Sequence, residues 1–137
     1  MSNSYIPVAL RRLVYERANG RCEYCLIAEA TFWLKHQVDH IIAEQHGGST
    51  TASNLALACI DCNRDKGPNI ASIDWETGKV VPLFNPRTQS WDDHFALFRA
   101  EIQPLTPTGQ ATARLLSFNS RERLIIRREL ILAGLYP

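Results

Sequence analysis

The chain has 137 residues, the length of one domain. Hydrophobic residues make up 45% and charged residues 21%, which excludes a disordered chain, and the sequence contains no apolar run of about 18 residues that would span a membrane. The net charge of +1 argues against a protein that holds nucleic acid by bulk charge.

The charge is unevenly spread. Residues 1–21 carry Arg11, Arg12, Arg17 and Arg21 against Glu16, and residues 114–137 carry Arg114, Arg121, Arg123, Arg127 and Arg128 against Glu122 and Glu129. The middle is acidic. Two basic ends would form a basic face if they folded together; arginines that merely solvate helix surfaces fit the same pattern. The first residues lack a basic flank followed by an apolar stretch, so a secretory signal is not expected. A cytoplasmic protein without membrane contact is the expectation.

In chain order, residues 7–18 read as a helix. Pro7 suits the first turn, Val8, Leu10, Leu13 and Val14 give a partial apolar stripe, and Asn19-Gly20 ends it. Residues 31–42 favour extended structure. A polar loop over 44–54 follows, broken at Gly47-Gly48. Residues 55–58 are a short apolar strand or turn, and 60–66 a short helix that stops at Gly67-Pro68. Residues 72–82 look like a hairpin turning at Glu76-Thr77-Gly78. Ser90 can cap a turn through Asp93, and 95–102 reads as one strand. Helices are expected over 109–117 and 121–133, the second held to the domain by Leu124, Ile125, Ile126, Leu130, Ile131 and Leu132. The order is α+β, and no Gly- or Ser-rich linker divides it.

The cysteines carry the sharpest signal. They fall as Cys22-Glu-Tyr-Cys25 and Cys59-Ile-Asp-Cys62. Two CxxC knuckles suit a tetrahedral zinc site, since each puts two thiolates on one tight turn. Structural disulfides rarely persist in a reducing compartment, and a redox CxxC needs only one pair. Four thiolates close the coordination sphere, so this zinc is structural.

Polar residues gather between and after the knuckles. Asp39 offers a hard oxygen for Mg²⁺. His40 can take a proton from water. Neighbours on a strand face opposite ways, so the two share a site only near a strand end. Asn63 offers a second oxygen at the start of a short helix, and Arg64 and Lys66 on that helix are candidates for phosphate contact.

The string Asp39-His40-Ile41, Gly47-Gly48, Asn54-Leu55 and Cys59-x-x-Cys62-Asn63 with Lys66 resembles the HNH nuclease family, with its ββα-metal fold, over residues 22–67. The resemblance implies that His40 activates the attacking water and that Asp39 binds a catalytic divalent ion, Mg²⁺ or Mn²⁺. It implies that Asn54 holds the loop that orients the histidine, and that Asn63 stands at the third motif position, where the family has histidine or asparagine. The chain would be a His-Asn-Asn variant. Keeping an oxygen donor there suits a hard ion and disfavours a soft catalytic metal such as Zn²⁺. The activity implied is hydrolysis of DNA phosphodiester bonds, leaving 5′-phosphate and 3′-hydroxyl ends. Residues 1–137 would form one domain, with an HNH core over 22–67 and an extension over 68–137 whose role is unassigned.

His46 beside the Gly-Gly pair is a further candidate for nucleic-acid contact. His36 is read as a packing or surface residue on a strand, and Trp33, Trp75 and Trp91 as core or hairpin packing. Two other readings compete with the nuclease: a zinc-stabilised nucleic-acid-binding module without turnover, and a zinc-organised protein-interaction domain.

Overall fold

The computed structural model describes residues 5–137. Helix α1 (Val8–Arg17) leads to the first knuckle, and strands β1 (Gln37–His40) and β2 (Leu55–Ala58) pair antiparallel, with Gln37 opposite Ala58 and His40 opposite Leu55. Helix α2 (Ile60–Lys66) follows at once. Two further hairpins are β3 (Ala71–Ile73) with β4 (Val80–Pro82), and β5 (Phe95–Phe98) with β6 (Glu101–Pro104). The one-turn α3 (Trp91–His94), α4 (Pro107–Leu115) and α5 (Arg121–Leu132) complete the α+β fold. Among the described residues no helix is long and apolar enough to cross a membrane.

The β1–β2–α2 unit is wedged from both sides. All four residues of β2 are buried. On one side Leu55 and Leu57 meet Val14 of α1 and Ile6. Arg17, in the last turn of α1, donates to the carbonyls of Ala52 and Leu55 at 2.9 and 2.7 Å, fixing the start of β2. On the other side Ala56 and Ala58 join a core that runs through the four cysteines to Phe84, Phe95, Ile102, Leu116 and Phe118. Phe95 lies at its centre, with ring centroids of Trp91, Phe84 and Phe118 at 5.1, 5.4 and 5.6 Å. The extension after residue 67 therefore shares one apolar core with the knuckles.

Three expectations are corrected. Residues 31–36 are not a strand: a 3₁₀ turn spans Glu29–Thr31, and β1 begins only at Gln37. Residues 95–102 are not one strand either. The chain reverses at Arg99, whose φ is +55°, to form β5 and β6. The third concerns α5. It is docked, and Leu130 packs on the core as expected, but its buried residues are Arg123 and Arg127, at 9% and 2% exposure, while Ile125, Ile126, Ile131 and Leu132 face solvent. Arg127 donates from Nε to the Ala100 carbonyl at 2.7 Å and from Nη2 to the Phe118 carbonyl at 2.6 Å. These carbonyls lie in tight turns with no ladder partner, and a guanidinium carries five donors that can satisfy several at once.

Trp91 packs against Phe95 and donates from its indole to the Tyr24 carbonyl at 2.8 Å. Trp33 and Trp75 are 80% and 76% exposed, contrary to a packing role in the core. The Arg114 guanidinium stacks on the Trp75 ring at 3.9 Å.

Arg127→Met is expected to lose about 2–4 kcal/mol of stability, since it orphans two buried acceptors. Leu132→Ser should stay within about 0.5 kcal/mol, as exposed substitutions usually do. Urea unfolding followed by circular dichroism compares the two; equal losses would reassign the docking of α5 to its apolar residues.

Candidate active site and metal centre

The four cysteines arrive from two similar turns. In the first, the Cys25 amide donates to Cys22 Sγ at 3.4 Å, and in the second the Cys62 amide donates to Cys59 Sγ at 3.4 Å. The second turn is also the start of α2, with Cys59 as its N-cap. All four sulfurs lie within 4.8 Å of one another and are buried; Cys25 and Cys59 Sγ are 3.7 Å apart. Four sulfurs at the Zn–S distance of about 2.3 Å in a tetrahedron lie about 3.8 Å apart, so the set fits a zinc ion. Burial and the neighbouring sulfurs push the Cys62 thiol well above its usual range. A bound cation reverses that preference, because it favours the thiolate.

Arg123 reaches this cluster from α5. Its Nη2 donates to Cys62 Sγ at 2.9 Å, and its Nη1 to the Leu116 carbonyl. Burial alone would lower the pKa of this guanidinium, but the sulfurs of Cys62, Cys25 and Cys59 outweigh it and raise the pKa. The Tyr136 hydroxyl donates to the Cys25 carbonyl at 2.7 Å. Neither residue carried a signal in the sequence.

The second centre forms where β1 ends and α2 runs past it. Asp39 is 5% exposed, and the Asn63 side-chain amide faces its carboxylate. Turned with its nitrogen toward Asp39, the amide donates to both oxygens at 3.2 and 3.3 Å. Turned the other way, it offers a second oxygen at that separation. Neighbouring oxygens of an octahedral Mg²⁺ site, with bonds of about 2.1 Å, lie about 3.0 Å apart, so Asp39 and Asn63 fit a hard divalent ion.

Lys66, expected to meet phosphates at the surface, is 2% exposed. Its Nζ lies 3.7 Å from Asp39 Oδ2 and donates to the His40 carbonyl at 3.3 Å. Burial raises the pKa of Asp39, opposed by Lys66 and His40, and lowers that of Lys66, opposed by Asp39. The lysine thus supplies a fixed counter-charge inside the pocket.

His40 is the last residue of β1 and is 2% exposed. Its Nε2 bonds to Thr50 Oγ1 at 2.8 Å, while its buried Nδ1 has no protein partner among the described residues. No hydrogen bond joins the ring to Asp39 or Asn63. Thr50 went unnoticed in the sequence because the loop holds several hydroxyl residues with nothing to mark this one.

Asn54 staples that loop. Its Oδ1 accepts from the Ile42 amide at 2.9 Å, and its Nδ2 donates to the carbonyls of Ile42 and Ser49, both at 2.9 Å. A Cβ on Gly48 would fall 1.7 Å from the Ile42 oxygen and 2.8 Å from Asn54 Nδ2, so only glycine fits there.

The remaining candidates lie apart. Arg64 is exposed and paired with Asp61 at 3.2 Å and Asp65 at 3.0 Å, and His46 is exposed on the 3₁₀ turn Glu44–His46. His36 precedes β1 and is buried, with Nε2 bonded to the Ile27 carbonyl at 2.9 Å.

The ββα unit and its four-cysteine centre are consistent with a small HNH-type domain. In agreement, the family model described as HNH endonuclease matches residues 22–69, a match that points to nuclease chemistry in general. No curated protein matches the chain, and no solved structure does.

Zinc analysis of protein purified without chelators should find one ion per chain. Replacing Arg123 with Met should speed zinc transfer to a chromogenic chelator, with a loss of affinity of about 10–100-fold, as expected when a ligand's hydrogen-bond partner is removed. Unchanged transfer would mean that Arg123 supports only α5.

Proposed function

We propose that this protein is a metal-dependent endonuclease that hydrolyses DNA phosphodiester bonds. The observation that carries the reading is the approach of the half-buried Asn63 amide to the buried Asp39 carboxylate, at the strand end that also bears His40. The HNH match over residues 22–69 supports it.

In this reading Asp39 and Asn63 hold one Mg²⁺ or Mn²⁺. When bound, that ion supplies Lewis-acid polarisation of the scissile phosphate and neutralises charge on the leaving oxygen. Lys66 opposes the effect of burial on Asp39 and holds its carboxylate in place. Thr50 holds the His40 ring through Nε2; in the tautomer whose Nε2–H donates to Thr50 Oγ1, Nδ1 carries the free lone pair. Nδ1 takes a proton from water as the water oxygen bonds to phosphorus. The P–O3′ bond breaks, and the 3′ oxygen gains a proton from solvent. Asn54 keeps the loop bearing Thr50 at its distance from β1. Arg64 and His46, both exposed, are proposed to meet flanking phosphates. Zinc in the cysteine centre is structural, and residues 1–137 act as one domain. A reducing compartment such as the cytoplasm suits four free thiols.

Plasmid cleavage with Mg²⁺, Mn²⁺ or chelator tests the reading. His40→Ala should lower the rate by about 10²–10⁴-fold at every metal concentration, with zinc content and circular dichroism unchanged. Asn63→Ala should regain part of its rate as Mg²⁺ is raised, because it loses a metal ligand and not the base. Thr50→Val should fall between the wild type and His40→Ala, and Thr50→Ser should recover the rate. Wild-type cleavage by His40→Ala would replace this reading with a zinc-stabilised binding module.

A further inference from the structure

A groove of about 390 Å³ opens beside the Asp39 centre, and Lys66 lines it. Ile41 and Ile42, which directly follow His40, form part of its wall. The volume falls at the small end of the usual range for ligand sites, about 300–1,000 Å³. Ile42 and Ile70 border it with 39% and 45% of their surfaces exposed. The polar lining is unusual in kind. Among the described residues no carboxylate and no arginine lines the groove, and the one cation there, Lys66, is engaged with Asp39. What remains are the side-chain amides of Asn69, Asn85 and Gln89, with Thr88.

Two of these amides are oriented by the backbone. Gln89 Oε1 accepts from the Asn85 amide at 2.9 Å, and Asn85 Oδ1 accepts from the Arg87 amide at 2.8 Å. With the oxygens engaged, the NH₂ groups are the ends left to bond a guest. Among the described residues neither NH₂ has a hydrogen-bond partner, and the Asn69 side chain has none at all.

We propose that this groove is a base-recognition subsite for the nucleotide that flanks the scissile phosphate; the inference rests on the endonuclease reading above. A phosphate would find no free cation there. A flat heterocycle gains from the isoleucine walls and meets amide donors along its edge. The donors favour a base rich in acceptors, and guanine, with N7 and O6 side by side, offers two on one edge. A strand lying on Asp39, Asn63 and His40 would lie beside the groove, because Lys66 both contacts Asp39 and lines it. The segment 68–89, which had no role in the sequence reading, supplies most of the subsite.

The test is the cut-site profile of the full-length protein on duplex and single-stranded pools with random sequence, read by sequencing the new ends. Wild type should prefer one base beside the cut by about tenfold, the discrimination one good amide–base contact supplies, with guanine favoured. Gln89→Glu keeps the oxygen that accepts from Asn85 but removes the donor, and Asn69→Leu removes an exposed amide. Both should flatten the preference, the rate on guanine falling toward the rates on the other bases. A wild-type profile without preference, or the same preference in both variants, overturns the subsite and leaves the endonuclease reading standing. If the wild type cuts neither pool with any metal, the endonuclease reading fails and the subsite with it.

Discussion

Four buried sulfurs within 4.8 Å of one another are the constraint on which the rest of this structure depends. Thiols so close cannot ionise together in a dry interior without a cation. A metal ion at their centre would convert that penalty into a clamp on segments far apart in the chain. Cys22 and Cys25 belong to the turn after α1, and Cys59 and Cys62 to the start of α2. Between them lies the β1–β2 hairpin, whose only ladder is four residue pairs. So short a hairpin is marginal on its own; held at both ends, it becomes a rigid support for Asp39 and His40.

The C-terminal extension bears on the same point. Arg123 donates to Cys62 Sγ, and Tyr136 to the Cys25 carbonyl. Arg127, one turn further along α5, closes the turns around Ala100 and Phe118. The metal centre and the last helix therefore stabilise each other. The candidate catalytic residues gain from this indirectly, because α2 carries both a cysteine ligand and Asn63 and Lys66. A shift of α2 would move the partners of Asp39 at the same time as it loosened the metal.

Much of this could be read from the sequence where the signal was local. The CxxC spacing placed the four cysteines, and the residues between Cys59 and Gly67 form α2 with the expected limits, Ile60–Lys66. Asn54 and Asn63, singled out by the resemblance, bond to Ile42 and Ser49 and face Asp39, respectively. What escaped was set by distant partners. Lys66 looked like a surface charge because nothing in its neighbourhood shows that Asp39 lies across from it. Arg123 and Arg127 looked solvated, and the isoleucines of α5 looked buried, since apolarity is the usual guide to a helix's inner face. Here that face meets sulfurs and unpaired carbonyls, which favour a donor-rich side chain over an aliphatic one. The reversal at Arg99 was hidden because the left-handed residue is an arginine, not glycine or asparagine.

Hydrogen exchange measured by mass spectrometry, with the zinc bound and after its removal by chelator, tests the claim that one metal centre anchors both parts of the chain. The account predicts that amides of β1, β2 and α2 lose protection together with those of α5, and that Arg123→Met uncouples α5 from the rest. Full protection of α5 in metal-free protein, with exchange rising only over residues 22–69, would contradict it.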